Sequence, residues 1–307
     1  MKISTQFLFD RATQRMSAVQ ERLSTVQAQL SEGKQILSPS DAPDQASAIQ
    51  RLRSEVDKME SHQRTLDVSL RRFGAEEVAL RSSFDTLTRF SELSIQAANA
   101  SVGEDGRKAI AIEMQGLRDE LYSLGNTQDD SGNYVFSGTR SRTPAYATDA
   151  SGQVVFQGDQ TQTRVPAGVE RTVKYTRSGT DVFVRVIHQN EFGEAIGVGF
   201  FDALDSAIAA TKASDSAGIA QGLKDVNSML DGVNLAIAEV GSDQAVVQGQ
   251  KELLETTTLR MQTALSGIED LDYAAAITQM SKESLALEAA QASFAKISQM
   301  SLFTYLR

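Results

Sequence analysis

The chain has no cysteine, only four prolines and two histidines, and fewer basic than acidic residues. Each shortage removes a class of protein. Without cysteine there is no disulfide staple and no thiolate metal site, and the fold is indifferent to the redox state around it. Thirty lysines and arginines against forty acids leave a net charge of −10, with no cluster of positive charge of the kind a nucleic acid or an anionic membrane selects. No apolar stretch approaches the length of a membrane span. Asp10 and Arg11 come too early for the apolar segment of a signal peptide, so export, if it occurs, is expected to use no cleaved leader. The prolines stand at 39, 43, 144 and 166, which leaves 44–143 and everything after 166 free of the strongest helix breaker.

What is present is apolar periodicity at both ends. Phe9, Ala12, Met16, Val19, Leu23, Val26 and Leu30 recur at alternating steps of three and four, the spacing that buries one helix face against another. Tyr273, Ile277, Met280, Leu287 and Phe294 keep the same beat at the other end. The two terminal seams are expected to join each other and, as a pair too thin to form a core, to seek further copies of the chain. An apolar tail of Leu302, Phe303, Tyr305 and Leu306 would be a liability on a monomer.

Inside these ends lie two longer seams. After the cap-rich hinge Ser38-Pro39-Ser40-Asp41-Ala42-Pro43-Asp44, one register holds Ile49, Leu52, Val56, Met59, Leu66, Leu70, Phe73, Leu80, Phe84 and Leu87, interrupted by Gln63 and Glu77. A helix over 44–100 would run about 80 Å at about 1.5 Å per residue, so an elongated rod is expected. Ser101–Gly106 reads as a turn in which Gly103 and Gly106 can take positive φ, followed by a shorter helix over 107–124.

From Asp129 to about Phe201 short β-favouring runs alternate with Gly, Asn, Asp and Pro: Tyr134-Val135-Phe136, Val154-Val155-Phe156, Thr172-Val173-Lys174-Tyr175 and Val182-Phe183-Val184-Arg185-Val186. Helix resumes near Asp202. A third seam then carries Leu223, Val226, Leu230, Val233, Ile237, Val240, Val247, Leu254, Met261, Leu265 and Ile268, with Gln244, Lys251 and Thr258 as its polar exceptions. The register slips between Ile268 and Tyr273. The expected fold is mainly α with an inserted small β-domain, its terminal coiled-coil helices enclosing a long-helix core bundle. The expected segments are 1–43, 44–130, 131–201, 202–268 and 269–307.

Catalytic patterns are missing. His62 and His188 have no carboxylate or nucleophile at a telling spacing and read as solvated or hydrogen-bonded surface histidines. Gly197-Val198-Gly199 lacks the third glycine of a dinucleotide fingerprint, and Gly103-Glu104-Asp105-Gly106-Arg107-Lys108 lacks the end of a phosphate loop. Asp129-Asp130-Ser131-Gly132-Asn133 lacks the ligand spacing of a calcium loop and reads as a turn. Asn99-Ala100-Ser101 fits the glycan acceptor pattern, too short a motif to carry weight. No enzyme, cofactor or metal is expected.

Several stretches in order resemble the bacterial flagellin superfamily. They are Met1-Lys2-Ile3-Ser4-Thr5-Gln6 with Phe9-Asp10, Leu30-Ser31-Glu32-Gly33-Lys34 with Pro39-Ser40-Asp41 and Pro43, Leu93-Ser94-Ile95-Gln96-Ala97-Ala98-Asn99, and Ile268-Glu269-Asp270-Leu271-Asp272-Tyr273-Ala274. Ala42 departs from the superfamily, which often has a second acid there. The resemblance covers about 1–139 and 202–307 and leaves the β-insert outside it. Tyr134-Val135-Phe136-Ser137-Gly138-Thr139 is similar to the members at the hook-filament junction rather than to filament flagellin.

The resemblance implies a secreted structural subunit of the bacterial flagellum, sent out by the flagellar type III apparatus. It would polymerise through its terminal helices, with 1–43 and 269–307 forming an inner tube. Implied partners are other copies of the chain, hook-associated protein 1 on the hook side, flagellin on the filament side and an export chaperone, with no nucleic acid and no membrane. The implied assembly residues are Met16, Val19, Leu23, Val26, Leu30, Ile277, Met280, Leu287, Phe294 and Ile297. Two other readings are filament flagellin itself and, in a different class, a long helical adaptor or signalling scaffold.

Overall fold

The computed structural model describes residues 2–168, 171–189 and 195–305, with side-chain surroundings from Phe7 to Lys296 apart from Leu8 and Gln189. Described helices are α1 (Lys2–Glu32), α2 (Pro43–Ala98), α3 (Glu104–Gly125), α4 (Gly179–Val182), α5 (Phe200–Ala213), α6 (Ser216–Glu269) and α7 (Tyr273–Tyr305). Three antiparallel hairpins lie between α3 and α5: β1 (Tyr146–Thr148) with β2 (Val154–Phe156), β3 (Arg164–Pro166) with β4 (Thr172–Lys174), and β5 (Val186–Gln189) with β6 (Ala195–Val198). The chain is mainly helical with a small β-rich insert.

The residues group into two compact units, 1–60 with 256–307, and 61–255. These units divide within α2 and α6.

In the larger unit the long seams form the core. Leu66, Phe73, Leu80 and Leu87 on α2, and Val226, Val233, Val240 and Val247 on α6, are buried at intervals of seven, the repeat that keeps one face of a long helix against its neighbours. Two polar interruptions satisfy each other, since Gln244 on α6 donates to Glu77 on α2 at 3.0 Å. Helix α3 adds buried Met114 and Leu121, and α5 adds Leu204. Arg118 joins these two helices with paired bonds of 2.8 and 3.0 Å to the Asp205 carboxylate, the forked geometry in which guanidinium and carboxylate match. The insert closes on this core with aromatic rings: Tyr146 lies 5.7 Å from Phe183 and 5.1 Å from Phe201, edge to face.

Several local expectations are corrected. Gly103 caps α3 at φ −69° and Gly106 lies inside that helix, so neither takes positive φ; α3 starts at Glu104, three residues earlier than its pattern suggests. The returning helix starts at Phe200 and breaks at Ser214, which takes φ 60°, before α6 begins. Gly222 allows α6 to lie close to α5, because a Cβ there would stand 2.5 Å from that of Ala207. Val182–Val186 is not one strand. Ser178 caps a helical turn by accepting from the Thr180 amide, and the strand begins only at Val186. Tyr134–Phe136 also forms no strand; Tyr134 makes an isolated bridge to Gln128, while Val135 and Phe136 are fully buried.

The turn read at Asp129–Asn133 is present, and a further turn follows α2. Asp129 accepts from the amides of Ser131 and Asn133, with Gly132 at φ 76°. Asn99 accepts from the amide and hydroxyl of Ser101, a local side-chain turn that ends the helical run.

Candidate assembly interface

The smaller unit is built on a joint where four helix ends meet. Gly33 follows α1 at φ +69°, a conformation that costs a side-chain-bearing residue about 1–2 kcal/mol. Its carbonyl accepts from the Leu271 amide at 2.9 Å, and the Gln35 amide donates to the Glu269 carbonyl at 2.8 Å. A short antiparallel bridge thereby fastens the segment after α1 to the one after α6. The Gln35 side chain adds a bond to the Ile268 carbonyl at 2.7 Å. Asp41 holds the loop before α2 by accepting from the Ser38 and Leu37 amides, which keep its carboxyl below the usual range.

Glu269 is the charged centre of this joint. It is buried at the end of α6, with Lys34 at 2.8 Å and Arg53 of α2 bonded to the same oxygen. Burial opposes its ionisation, but the bonds from Lys34 and Arg53 outweigh that and hold the acid below its ordinary range.

Beyond the joint α1 and α7 pack antiparallel. Phe9 meets Phe294 with ring centroids 4.6 Å apart, Arg22 pairs with Glu283 at 3.1 Å, and Gly33 abuts Tyr273. On α1 the inward face is Ala12, Met16, Val19, Leu23, Val26 and Leu30, with Val19 and Val26 buried and the others half-buried. On α7 it is Ala276, Met280, Glu283, Leu287, Ala290 and Phe294, again at alternating steps of four and three. The Arg22 bond draws the Glu283 acidity below its usual range.

Thus Met16, Val19, Leu23, Val26, Leu30, Met280, Leu287 and Phe294 come together within one chain, whereas Ile277 does not join them. It is 51% exposed, and with Tyr273 at 53% and Leu285 at 68% it lies outside the buried face. Phe7 on α1 is also exposed. The side chain of Ile297, like the apolar tail at 302–306, lies outside the described residues. The periodicity reading missed Ala276, Glu283 and Ala290. Small alanines weigh little in an apolar pattern, and a glutamate counts against one, although its partner Arg22 neutralises that cost.

Neither histidine has the surroundings of a catalyst, but the absence of a carboxylate near His188 is corrected: α6 brings Asp225 to 2.8 Å, and Gln221 bonds the other oxygen of that acid. Their separation along the chain hides the pair. His62 bonds the Pro166 carbonyl at 3.0 Å. Among the described residues no cluster of ligands suits a metal ion and no helix is long and apolar enough to cross a membrane.

Residues 3–141 match the bacterial flagellin N-terminal helical region, and 223–306 match the bacterial flagellin C-terminal helical region. Flagellar hook-associated protein 3 of Escherichia coli (strain K12) is 26% identical, covering 99% of both chains. The protein of the same name from Salmonella typhimurium is 24% identical over 99% of each. In three dimensions the chain resembles a putative flagellar hook-associated protein from Vibrio parahaemolyticus, with a TM-score of 0.65 and 20% identity over 75% of this chain and all of that one.

Proposed function

Because this chain belongs to the bacterial flagellin family, a family of structural proteins and not enzymes, we propose that its place in the flagellum is the junction between hook and filament. It is a structural component of the flagellum; the proposal concerns where it sits and how it assembles. The full-length likeness to two proteins named flagellar hook-associated protein 3 supports the junction. At that position its neighbours are other copies of itself, hook-associated protein 1 toward the hook and flagellin toward the filament, after export through the flagellar type III apparatus with a chaperone.

The observation that carries the assembly reading is the outer surface of α7. Beyond the face spent on α1, it presents Tyr273, Ile277 and Leu285, with Ala274, Ala289 and Ala292 also exposed. These apolar positions stand among polar ones such as Lys282 and Glu288, and exposed apolar side chains on a helix already packed along one face are those that further helices would cover. Within this proposal the seam residues Met16, Val19, Leu23, Val26, Leu30, Met280, Leu287 and Phe294 hold the intrachain pair, Ile277 meets neighbouring subunits, and Ile297 extends the same interface.

Deleting the gene tests the position. Cells lacking it should keep their hooks, lose their filaments and release unassembled flagellin into the medium. Intact filaments in the deletion strain would refute the proposal, and bare hooks with no flagellin released because the chain itself was the flagellin would move it to the filament.

A further inference from the structure

The β-rich insert is fastened to the helices of the larger unit by an ionic cluster with a buried centre. Arg177, between β4 and α4, sends its guanidinium into the unit, where it meets Glu76 of α2 at 3.3 Å, Glu239 of α6 at 3.0 Å, and Asp243 of α6. In the opposite sense Arg72 of α2 donates to the Tyr175 carbonyl at 3.0 Å and the Val135 carbonyl at 2.9 Å, and pairs with Asp129 at 3.4 Å. It stacks 5.2 Å from the ring of Tyr175. Arg72, Glu76 and Arg177 are all buried, so each helix holds the insert and the insert holds each helix.

The charges do not balance. Lys174, which bonds Glu239 at 3.1 Å, joins Arg72 and Arg177 as cations, and these three face four carboxylates: Asp129, Glu76, Glu239 and Asp243. Glu76 is the deepest of the four, with no exposed surface, and its Oε1 has no hydrogen-bond partner, Arg72 standing 3.9 Å away. An ionised carboxylate so placed leaves a charged oxygen unsatisfied, which is costly, whereas a carboxylic acid there carries no net charge to desolvate. Burial pushes Glu76 up to about 7, against the pull of Arg177 and Arg72, with Asp243 pushing the same way as burial. A cleft of about 400 Å³ lined by Lys174, Arg177 and Glu239 brings solvent to the outer side of the cluster, a route for proton exchange.

We propose that this cluster is a proton-sensitive clasp, in which Glu76 carries the balancing proton while the insert is docked, and that the insert's hold on α2 and α6 loosens when that proton leaves. The sign follows from linkage. The docked state binds the proton more tightly than a state in which Glu76 meets water, so docking is favoured at lower pH and weakens as the pH rises through neutrality.

The test is hydrogen exchange on the full-length protein, followed at the buried amides beside the cluster: Val135, whose carbonyl Arg72 holds, and Gly138 and Gly179, which bond the Arg177 and Phe136 carbonyls. After correction for intrinsic exchange, their opening constant should rise about tenfold between about pH 6 and pH 8 in the wild type, and the rise should vanish in Glu76→Gln, which has the shape of the neutral acid. An equal slope in the variant, or no slope in the wild type, would overturn the proposal. Should Glu76→Gln fail to fold, carboxyl NMR of glutamate-labelled wild type decides: one glutamate titrating near neutrality is expected, and titration of every glutamate below about pH 6 would overturn the idea equally.

Discussion

A single backbone conformation at Gly33 sets how the two terminal segments meet. Its φ of +69° lets the chain turn after α1 so that its carbonyl reaches the Leu271 amide, and a Cβ there would stand 2.6 Å from the Tyr273 hydroxyl. Gly33→Ala should therefore destabilise the joint by about 1–2 kcal/mol from the left-handed backbone alone. The clash adds less, because the tyrosine is half exposed and its hydroxyl is free to swing aside. Local opening measured by exchange of the Gln35 and Leu271 amides checks this, and adding Tyr273→Ala separates the two contributions. A Gly33→Ala protein whose joint opens no more readily than wild type would show that the turn does not depend on glycine.

Among the elements, α1 and α7 make different claims on their two faces. Leu23→Asp and Phe294→Asp place an unpaired charge on the face where the helices meet. Both should weaken the α1–α7 pair and abolish assembly while the unit of 61–255 stays folded. Ile277→Asp lies outside that face and should leave the pair intact yet still prevent assembly. Helical content of the monomer and sedimentation of the assembled form distinguish these outcomes. An Ile277→Asp chain that polymerises like wild type would remove Ile277 from the interface. Long elements such as these were legible because twenty or more residues repeat one spacing, and local errors average out. The short ones were not. Val182–Val186 has the composition of a strand, but the Ser178 cap and the packing of Val182 and Phe183 into the aromatic cluster take its first residues into a helical turn. Tyr134–Phe136 likewise spends its apolar side chains on burial in the core rather than on a paired edge.

At the level of the whole molecule, the mainly helical layout around a β-rich insert was readable from where apolar periodicity stops and resumes. The partners across the chain were not: Arg177 with Glu76 and Asp243, His188 with Asp225, and Arg53 with Glu269 are all set by folding, with nothing in local spacing to announce them. The same contrast between local and distant contacts separates the stability of the two units. The larger unit buries large side chains from four helices and an aromatic cluster. In the smaller one, α1 and α7 rest on a face only one residue wide per turn, with few fully buried side chains, and half of the α7 face is alanine or glutamate. Burial worth about 25 cal/mol per Å² has there to offset about 1–2 kcal/mol of backbone entropy for each residue ordered. Neighbouring subunits would add buried area on the exposed side of α7 without ordering more chain, so a pair that is marginal in the monomer would become firm on assembly. In dilute monomer the amides of α1 and α7 should accordingly exchange at least about a hundredfold faster than those of Phe73, Leu80 and Val240, and should slow to the same level once the protein polymerises. Strong protection of both terminal helices in the isolated chain would mean that the intrachain pair is sufficient by itself, and that assembly draws on some surface other than these helices.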